Sequence, residues 1–173
     1  MLKLFQAEQS SRSNNALQVD DPAPDFTLPD QINRPVHFAD LLGKGAVVLF
    51  FYPKDHSAGC TAEACAFRDS YEAFTEAGAT VIGISADSAE SHQGFASRHR
   101  LPFILLSDHD GSVQKLYGVE KTFGLLRART TFIIDRQGIV RHVFSSQLNI
   151  QKHVTDALDI VQALLAEPKT ESA

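Results

Sequence analysis

The sequence is short of cysteine, of long apolar runs and of positive charge. Two cysteines among 173 residues are too few for a disulfide framework, so we expect a reducing compartment and no structural disulfide. The longest apolar stretch, Gly45 to Tyr52, is far below the ~20 residues that span a bilayer, and we interpret it as a buried strand. A net charge of −5 argues against nucleic acid or an anionic membrane as the main partner.

The chain has the length and composition of one globular domain. A length of 173 residues, 43% of them hydrophobic and 21% charged, suits one domain with a sizeable core, and there is no repeat or long linker. We predict a flexible polar leader at 1–16, the domain at 17–167 and a tail at 168–173. Glu8 interrupts the short apolar patch of the leader, so no secretory signal is predicted. We expect a cytoplasmic location and leave organelle targeting open.

Alternating periodicities predict an α/β fold with a central mixed sheet and helices on both of its faces. A short hairpin is predicted between Val19 and Asp40, and Ser88 or Asp87 is the expected N-cap of a helix. The predicted strands are 46–52, 80–85, 103–106, 131–135 and 139–145, and the predicted helices are 60–77, 88–100, 111–117 and a last helix from Ile150 that Pro168 ends. Sites in such sheets gather beyond the C-terminal ends of strands, where Cys60 lies.

The two cysteines, Cys60 and Cys65, lie five residues apart where a predicted strand gives way to a helix. Unpaired N–H groups at a helix start stabilise a thiolate, and a second thiol within local reach allows a disulfide. Cys60 shares a helix face with Phe67 and Phe74, whereas Cys65 shares the opposite face with charged residues. We therefore predict thiol redox chemistry with an inward Cys60 and an outward Cys65.

Helix geometry constrains how these two thiols react. Five residues of ideal helix place the two Cα atoms roughly 8.6 Å apart, whereas a disulfide needs a Cα separation below about 7 Å. Either the helix begins later than its sequence pattern indicates, or its first turns unwind. We predict local unwinding as part of a catalytic cycle.

Activation of a thiol needs more than a helix terminus. Lowering a cysteine pKa from about 8.5 to about 6 takes roughly 3.4 kcal/mol, and a helix N-terminus contributes about 0.3–1 kcal/mol, or ~2 kcal/mol in good cases. A cation or several hydrogen bonds must supply the rest. The candidates are Lys54 and Ser57 in the loop, and Arg127 and Arg129 if their strand neighbours the strand that leads to Cys60.

The sequence around the cysteines resembles the peroxiredoxins, and specifically the peroxiredoxin Q (bacterioferritin comigratory protein) subfamily. The matching runs are Phe-Tyr-Pro-Lys-Asp at 51–55, Gly-Cys-Thr at 59–61, Glu-Ala-Cys at 63–65 and Phe-Arg-Asp at 67–69, with further matches at 21–26, 105–108, 117–119 and 129–135. The resemblance implies a thioredoxin-like fold. It also implies a thiol-dependent peroxidase that reduces hydrogen peroxide and organic hydroperoxides in antioxidant defence.

The same resemblance implies roles for the two thiols. Cys60 would be the peroxidatic cysteine, which peroxide oxidises to a sulfenic acid. Cys65 would be the resolving cysteine, which forms an intramolecular disulfide with Cys60. Thioredoxin or a glutaredoxin-like dithiol would then reduce that disulfide. The resemblance further implies a monomer, and it implies no metal, haem or flavin cofactor.

Four further residues take roles by resemblance. Pro53 would shield the thiol from water, and Ser57 would hydrogen-bond the thiolate and the peroxide. Arg129 would stabilise the thiolate and the developing charge, and Glu63 would orient the arginine. The subfamily usually has Thr-Pro where this chain has Ser57 and Ala58. The hydroxyl survives this change but a rigid residue is lost, which bears on the rate and not on the reaction type.

Simpler interpretations of these residues remain open. Free cysteines are commonly inert core residues, Arg129 could be a surface charge, and Pro53 could be ordinary loop punctuation. Glu63 could be a favourable acid in the first turn of a helix. We interpret Lys54 and Asp55 as a solvated pair outside the site.

Other chemistries fit the sequence less well. Cys60, Cys65 and His56 make a poor zinc set, because a fourth ligand and the usual Cys-x-x-Cys spacing are missing, and the remaining histidines are scattered. A thioredoxin-like disulfide oxidoreductase would also use two thiols, but it would normally carry them as Cys-x-x-Cys, which is absent from this sequence. A non-catalytic redox sensor or holdase is the other alternative, and turnover of peroxide would argue against it.

Overall fold

The computed structural model describes residues 17–119, 121–122, 126–127 and 129–167. The predicted leader at 1–16 and tail at 168–173 lie outside the described residues, so these domain bounds stay a prediction. Among the described helices, none has both the length and the apolar character needed to cross a bilayer.

A mixed five-stranded sheet forms the centre of the molecule. The strands are β1 (Thr27–Pro29), β2 (Pro35–His37), β3 (Val47–Phe51), β4 (Thr80–Ser85), β5 (Ile104–Ser107), β6 (Lys121–Thr122), β7 (Leu126–Arg127), β8 (Thr130–Ile134) and β9 (Val140–Ser145). The central order is β5-β4-β3-β8-β9, in which β3, β4 and β5 are parallel, and β8 is antiparallel to both β3 and β9. Two antiparallel hairpins, β1-β2 and β6-β7, lie outside it. Strand β3 is therefore central, with every side chain buried.

The helices are α1 (Ala58–Asp69), α2 (Tyr71–Glu76), α3 (Ala89–His99), α4 (Ser112–Leu116) and α5 (Ile150–Ala166), with a 3₁₀ turn at Phe38–Leu41. Alternate side chains of β3 point to opposite faces of the sheet. Val48 and Phe50 join an apolar cluster with α1, α2, α3 and α5. Val47, Leu49 and Phe51 join a second cluster with the β1-β2 hairpin, the 3₁₀ turn and α4.

One aromatic stack fastens the C-terminal half of α1 to the sheet. The rings of Phe67 on α1 and Phe50 on β3 are stacked, with their centroids 4.5 Å apart, and both side chains are fully buried. Burial of an apolar side chain of this size contributes about 1.5–3 kcal/mol. Phe67 therefore stabilises the packing of the C-terminal half of α1 on the sheet.

The predicted fold class, strands and N-terminal hairpin are confirmed, with bounds that shift by one or two residues. Ser88 caps α3 as expected, because its hydroxyl accepts a hydrogen bond of 3.1 Å from the backbone N–H of Ser91. The single helix predicted over 60–77 is wrong. Ser70, at φ −101° and ψ 4°, interrupts it and separates α1 from α2.

Candidate active site

Cys60 lies in the first turn of α1, immediately beyond the C-terminal end of β3. Its side chain is buried, with 1% exposed. Ser57 is the N-cap, and its carbonyl accepts the N–H of Thr61, so that N–H is the first to be paired within the helix. The N–H groups of residues 58–60 therefore have no intrahelical acceptor, and their partial positive charge favours a thiolate at Cys60.

Arg129 is the cation that contacts Cys60. It directly precedes β8, whose first residue Thr130 pairs with Phe51 at the end of β3, so the arginine and the cysteine emerge from neighbouring strands. The Nη2 group of Arg129 donates to Cys60 Sγ at 3.4 Å, and Nη1 donates to Glu63 Oε1 at 3.0 Å. Burial would lower the pKa of Arg129, but the adjacent Glu63 and Cys60 outweigh it and raise that pKa. The guanidinium therefore stays charged against the sulfur.

Glu63 shares the arginine with Cys60. Its side chain is fully buried in the second turn of α1, so Glu63 is not the favourable first-turn acid of the simpler interpretation. Burial raises the pKa of Glu63 to about 7, although Arg129 acts in the opposite direction. Its second oxygen, Oε2, has no hydrogen-bond partner among the described residues and lies 3.7 Å from His153 Nδ1. A buried acid of this kind competes with the thiolate for the arginine whenever it is ionised.

The sequence motif did not predict the buried His153 behind Glu63. His153 on α5 donates from Nε2 to the carbonyl of Ser146 at 2.8 Å, and its Nδ1 lies 2.8 Å from the Thr131 hydroxyl. Burial, with Arg129 nearby, lowers the pKa of His153 despite the Ser146 hydrogen bond. A neutral ring with the proton on Nε2 fits these contacts, because Nδ1 then accepts from Thr131. The position of His153 on the apolar face of α5 is a sequence feature that indicates a buried histidine.

The predicted site residues of the loop before α1 differ in burial and in hydrogen bonding. The Ser57 hydroxyl donates to the carbonyl of Lys54 at 2.9 Å, so in this structure it is engaged by the backbone of its own loop. Pro53 is partly buried, Lys54 is exposed, and the side chain of Arg127 lies outside the described residues. Among the predicted activating groups whose side chains the structure describes, Arg129 is the one that hydrogen-bonds to Cys60.

Asp55 corrects the sequence interpretation. Its side chain is buried, with 2% exposed, whereas Lys54 is exposed, so the two are not a solvated pair. Asp55 accepts hydrogen bonds from the hydroxyl of Tyr52 at 2.6 Å, the hydroxyl of Ser91 at 2.9 Å and His92 Nδ1 at 2.7 Å. Burial would raise the pKa of Asp55, but the hydrogen bond and charge of His92 outweigh it and lower that pKa.

Cys65 lies two turns into the same helix as Cys60. Both are free thiols, Cys60 buried and Cys65 partly exposed, which is the predicted inward and outward arrangement. Because α1 begins at Ala58, ahead of both cysteines, a later helix start is excluded. Their Cα atoms are held at the ideal-helix separation of roughly 8.6 Å for as long as α1 is intact. A disulfide between them requires part of α1 to unwind.

The sequence of the domain matches one known family. Residues 19–143 match the AhpC/TSA family. The chain is 49% identical to the chloroplastic peroxiredoxin Q of Sedum lineare over 142 residues, which cover 82% of this chain and 76% of that protein. The chain belongs to the AhpC/TSA family, as a peroxiredoxin of the Q type. It is also 49% identical over 142 residues to the chloroplastic peroxiredoxin Q of Arabidopsis thaliana, covering 82% of this chain and 65% of that protein.

Solved structures of peroxiredoxins share the fold. Peroxidoxin BcpB of Mycobacterium tuberculosis superposes with a TM-score of 0.80 at 40% identity, covering 86% of this chain and 98% of that one. The bacterioferritin comigratory protein of Xanthomonas campestris superposes with a TM-score of 0.76 at 26% identity, covering 87% and 99%. These similarities confirm both the resemblance and the thioredoxin-like fold expected from the sequence.

The relatives also bear on location. The chain spans 76% of the length of the Sedum lineare protein and 65% of the Arabidopsis thaliana protein, and both relatives are named chloroplastic. These names give no support to the expected cytoplasmic location. They agree with the organelle targeting that the sequence left open.

Gly59 keeps space for the arginine of this peroxiredoxin. A Cβ atom at Gly59 would lie 2.9 Å from Arg129 Nη2, the atom that contacts Cys60. Gly59→Ala is therefore expected to displace the guanidinium and to slow the reaction with hydrogen peroxide by about tenfold, the effect of losing one charge-assisted hydrogen bond. Because alanine is the better helix former by roughly 0.5–1 kcal/mol, the gain in helix propensity should offset part of the cost of moving the guanidinium, and the change in the free energy of unfolding should be small.

Stopped-flow peroxide kinetics and urea unfolding measure the two effects of Gly59→Ala separately. Gly94→Ala is the matched control, because Gly94 lies in α3 with nothing within 4 Å of an added Cβ. A wild-type rate in Gly59→Ala would show that the arginine does not need this space.

Proposed function

We propose that this peroxiredoxin is a thiol-dependent peroxidase that reduces hydrogen peroxide and organic hydroperoxides through Cys60. The observation that carries the proposal is the position of Cys60 Sγ at the N-terminus of α1, 3.4 Å from Arg129 Nη2. A helix terminus alone contributes too little to activate a thiol, and an arginine in hydrogen-bond contact supplies a full positive charge in a buried site. The alkyl peroxide reduction activity described for the Xanthomonas campestris bacterioferritin comigratory protein supports the same chemistry.

The first step is nucleophilic. The Cys60 thiolate attacks the terminal oxygen of the hydroperoxide, an S–O bond forms as the O–O bond breaks, and the two electrons leave with the departing oxygen. Cys60 becomes a sulfenic acid, and the departing oxygen takes a proton to give water or an alcohol. Arg129 and the free N–H groups of the first helical turn stabilise the charge as it moves onto the departing oxygen.

The second step uses Cys65. Its thiolate attacks the sulfenic sulfur of Cys60, which forms the disulfide and releases the sulfenic oxygen as water. The first turns of α1 unwind for this step, because the intact helix holds the two residues too far apart. An external dithiol, thioredoxin or a glutaredoxin-like protein, then restores both thiols by exchange. The chain is expected to work as a monomer.

The test is peroxide consumption coupled to thioredoxin, thioredoxin reductase and NADPH, for wild type, Cys60→Ser and Cys65→Ser. We expect turnover in wild type, none in Cys60→Ser and sharply reduced turnover in Cys65→Ser. In Cys65→Ser, one equivalent of peroxide should leave a Cys60 sulfenic acid that dimedone traps. Full activity of Cys65→Ser would point to an outside thiol as the resolving group. A wild type without peroxide turnover with any dithiol would contradict the peroxidase.

A further inference from the structure

A buried pair, Asp55 and His92, lies in and beside the loop that leads to Cys60. Asp55 is in the loop between β3 and α1, and His92 is in α3, 37 residues along the chain. Both side chains are buried, and Asp55 Oδ2 lies 2.7 Å from His92 Nδ1. Neither residue contacts Cys60, so the peroxidase steps described above leave this pair without a role.

Hydrogen bonding fixes the protons of the pair. His92 Nε2 lies 2.9 Å from the carbonyl oxygen of Leu106, an acceptor, so Nε2 carries a proton. His92 Nδ1 faces an Asp55 oxygen that already accepts from Ser91, so a second proton lies between Nδ1 and Asp55. Both ring nitrogens are thereby occupied. Asp55, Asp87 and His92 are thus joined into one cluster by hydrogen bonds.

The backbone of Asp55 is held as firmly as its side chain. Its N–H donates to Asp87 Oδ2 at 2.8 Å, and the same oxygen accepts from the hydroxyl of Ser85 at the end of β4 at 2.6 Å. The Tyr52 hydroxyl adds a bond of 2.6 Å to Asp55 Oδ1. The loop is thus attached to the ends of β3 and β4 and, through His92, to α3 and β5. We refer to Asp55 with His92, Ser91 and Asp87 as the Asp55 anchor.

The chain between the Asp55 anchor and Cys60 is short. His56 follows with a left-handed backbone at φ +64°, Ser57 is the N-cap, and α1 begins at Ala58. A non-glycine residue with a left-handed backbone conformation is uncommon, and it persists where the surrounding structure holds it. The anchor therefore sets where α1 starts and in which direction Cys60 enters the helix.

We propose that Asp55 is a positioning residue that favours the folded form of the first turns of α1 and so sets the balance between the two chemical steps at Cys60. The proposal rests on the proposed function, since it concerns the steps of that reaction. Peroxide attack needs the folded turn that holds Cys60 against Arg129. Disulfide formation needs the same turn unwound. A weaker anchor therefore slows the first step and speeds the second.

Asp55→Asn tests this with a near-isosteric side chain that removes the charge facing His92. We expect the rate constant for peroxide attack to fall about two- to threefold, because a roughly tenfold shift in the balance between folded and unwound turns, in keeping with a lost charge-assisted hydrogen bond, is divided between the two steps. We expect disulfide formation to become several-fold faster. Less Cys60 should reach the sulfinic acid in excess peroxide, because the sulfenic acid spends less time folded. Stopped-flow kinetics resolve the two steps, and mass spectrometry measures the sulfinic acid.

Two further variants guard against a general folding defect. Ser91→Ala removes one hydrogen bond to Asp55 and should shift both steps in the same directions by a smaller factor. Asp159→Asn makes the same chemical change on the exposed surface of α5 and should match wild type. Equal slowing of both steps in Asp55→Asn, or no change in either, would overturn the proposal.

Hydrogen exchange separates failure of the anchor from failure of the peroxidase, because it needs no peroxide. In Asp55→Asn, the amides of residues 61–64 should exchange about tenfold faster than in wild type, with those of α5 unchanged, if the anchor holds the folded turn. Faster exchange in a protein whose wild type consumes no peroxide would sustain the positioning role and refute the peroxidase. Unchanged amide exchange in Asp55→Asn, together with normal peroxide turnover in wild type, would refute the positioning role and sustain the peroxidase.

Discussion

Replacing Arg129 with methionine is expected to slow the reaction of Cys60 with hydrogen peroxide by about 100- to 1000-fold, the usual effect of removing a charge-stabilising donor. Methionine keeps much of the apolar stem and removes both N–H groups that now reach Cys60 and Glu63. The thiolate loses its cation, and the departing oxygen loses a positive charge. Stopped-flow kinetics at several peroxide concentrations measure the rate constant directly.

Stability has to be separated from chemistry in that variant. Arg129→Met leaves Glu63 buried without its partner, which costs about 3–5 kcal/mol when a buried ion pair is broken on one side. The double variant Glu63→Gln/Arg129→Met removes the stranded charge and is expected to recover most of that stability without recovering the rate. Arg129→Lys keeps the charge but presents a single ammonium to two partners, so an intermediate rate is expected. A rate within threefold of wild type in the double variant would exclude Arg129 as the stabilising group.

Adding one methyl group at Gly45 is expected to destabilise the fold by about 3–4 kcal/mol. A Cβ at this position would lie 2.0 Å from the carbonyl oxygen of Gly78 and 3.0 Å from its carbonyl carbon. Backbone atoms, unlike the end of a flexible side chain, have no rotamer by which to withdraw. Just beyond this contact, Thr80 N–H donates to the Ala46 carbonyl at 2.9 Å, which starts the pairing of β3 with β4.

Thermal and urea unfolding of Gly45→Ala measure this loss. A drop in Tm of roughly 10 °C is expected for a chain of this size. Gly94→Ala is again the matched control, because the added Cβ meets nothing within 4 Å and the residue lies in a helix. It should be neutral or stabilising. Equal stability of Gly45→Ala and Gly94→Ala would show that the backbone before β3 can move away from Gly78 without loss of stability.

Local sequence patterns predicted the elements well, because each pattern reports burial along its own segment. The apolar run of β3 and the helical period of α5 placed a central strand and a closing helix. The break at Ser70 escaped notice, since the apolar stripe of Phe67, Tyr71 and Phe74 continues on one side across it. Periodicity describes which face is buried and does not register a single residue that leaves the helical conformation.

The site was predicted as far as the motif reached. The run from Pro53 to Cys65 and the arginine before β8 identified residues that the fold brings together, including Arg129 beside Cys60. Asp55 was misjudged because its partner His92 is 37 residues away and only the fold makes them neighbours. The exposure of an acid in a polar loop is set by such distant contacts. The same holds for His153 behind Glu63.

The break at Ser70 also limits how far a structural change at Cys60 spreads. Helix α2 has its own first hydrogen bond, from Phe74 N–H to the Ser70 carbonyl at 3.2 Å, and its own buried side chain in Phe74. Phe67 fastens the far end of α1 to the sheet. We therefore expect residues 58–65, about two turns of helix, to open without the rest of α1 and α2. An opening of this unit would take Cys60 and Ala64 out of the apolar cluster and leave Phe67 and Phe74 packed in it, so the scaffold from which α1 refolds is expected to persist.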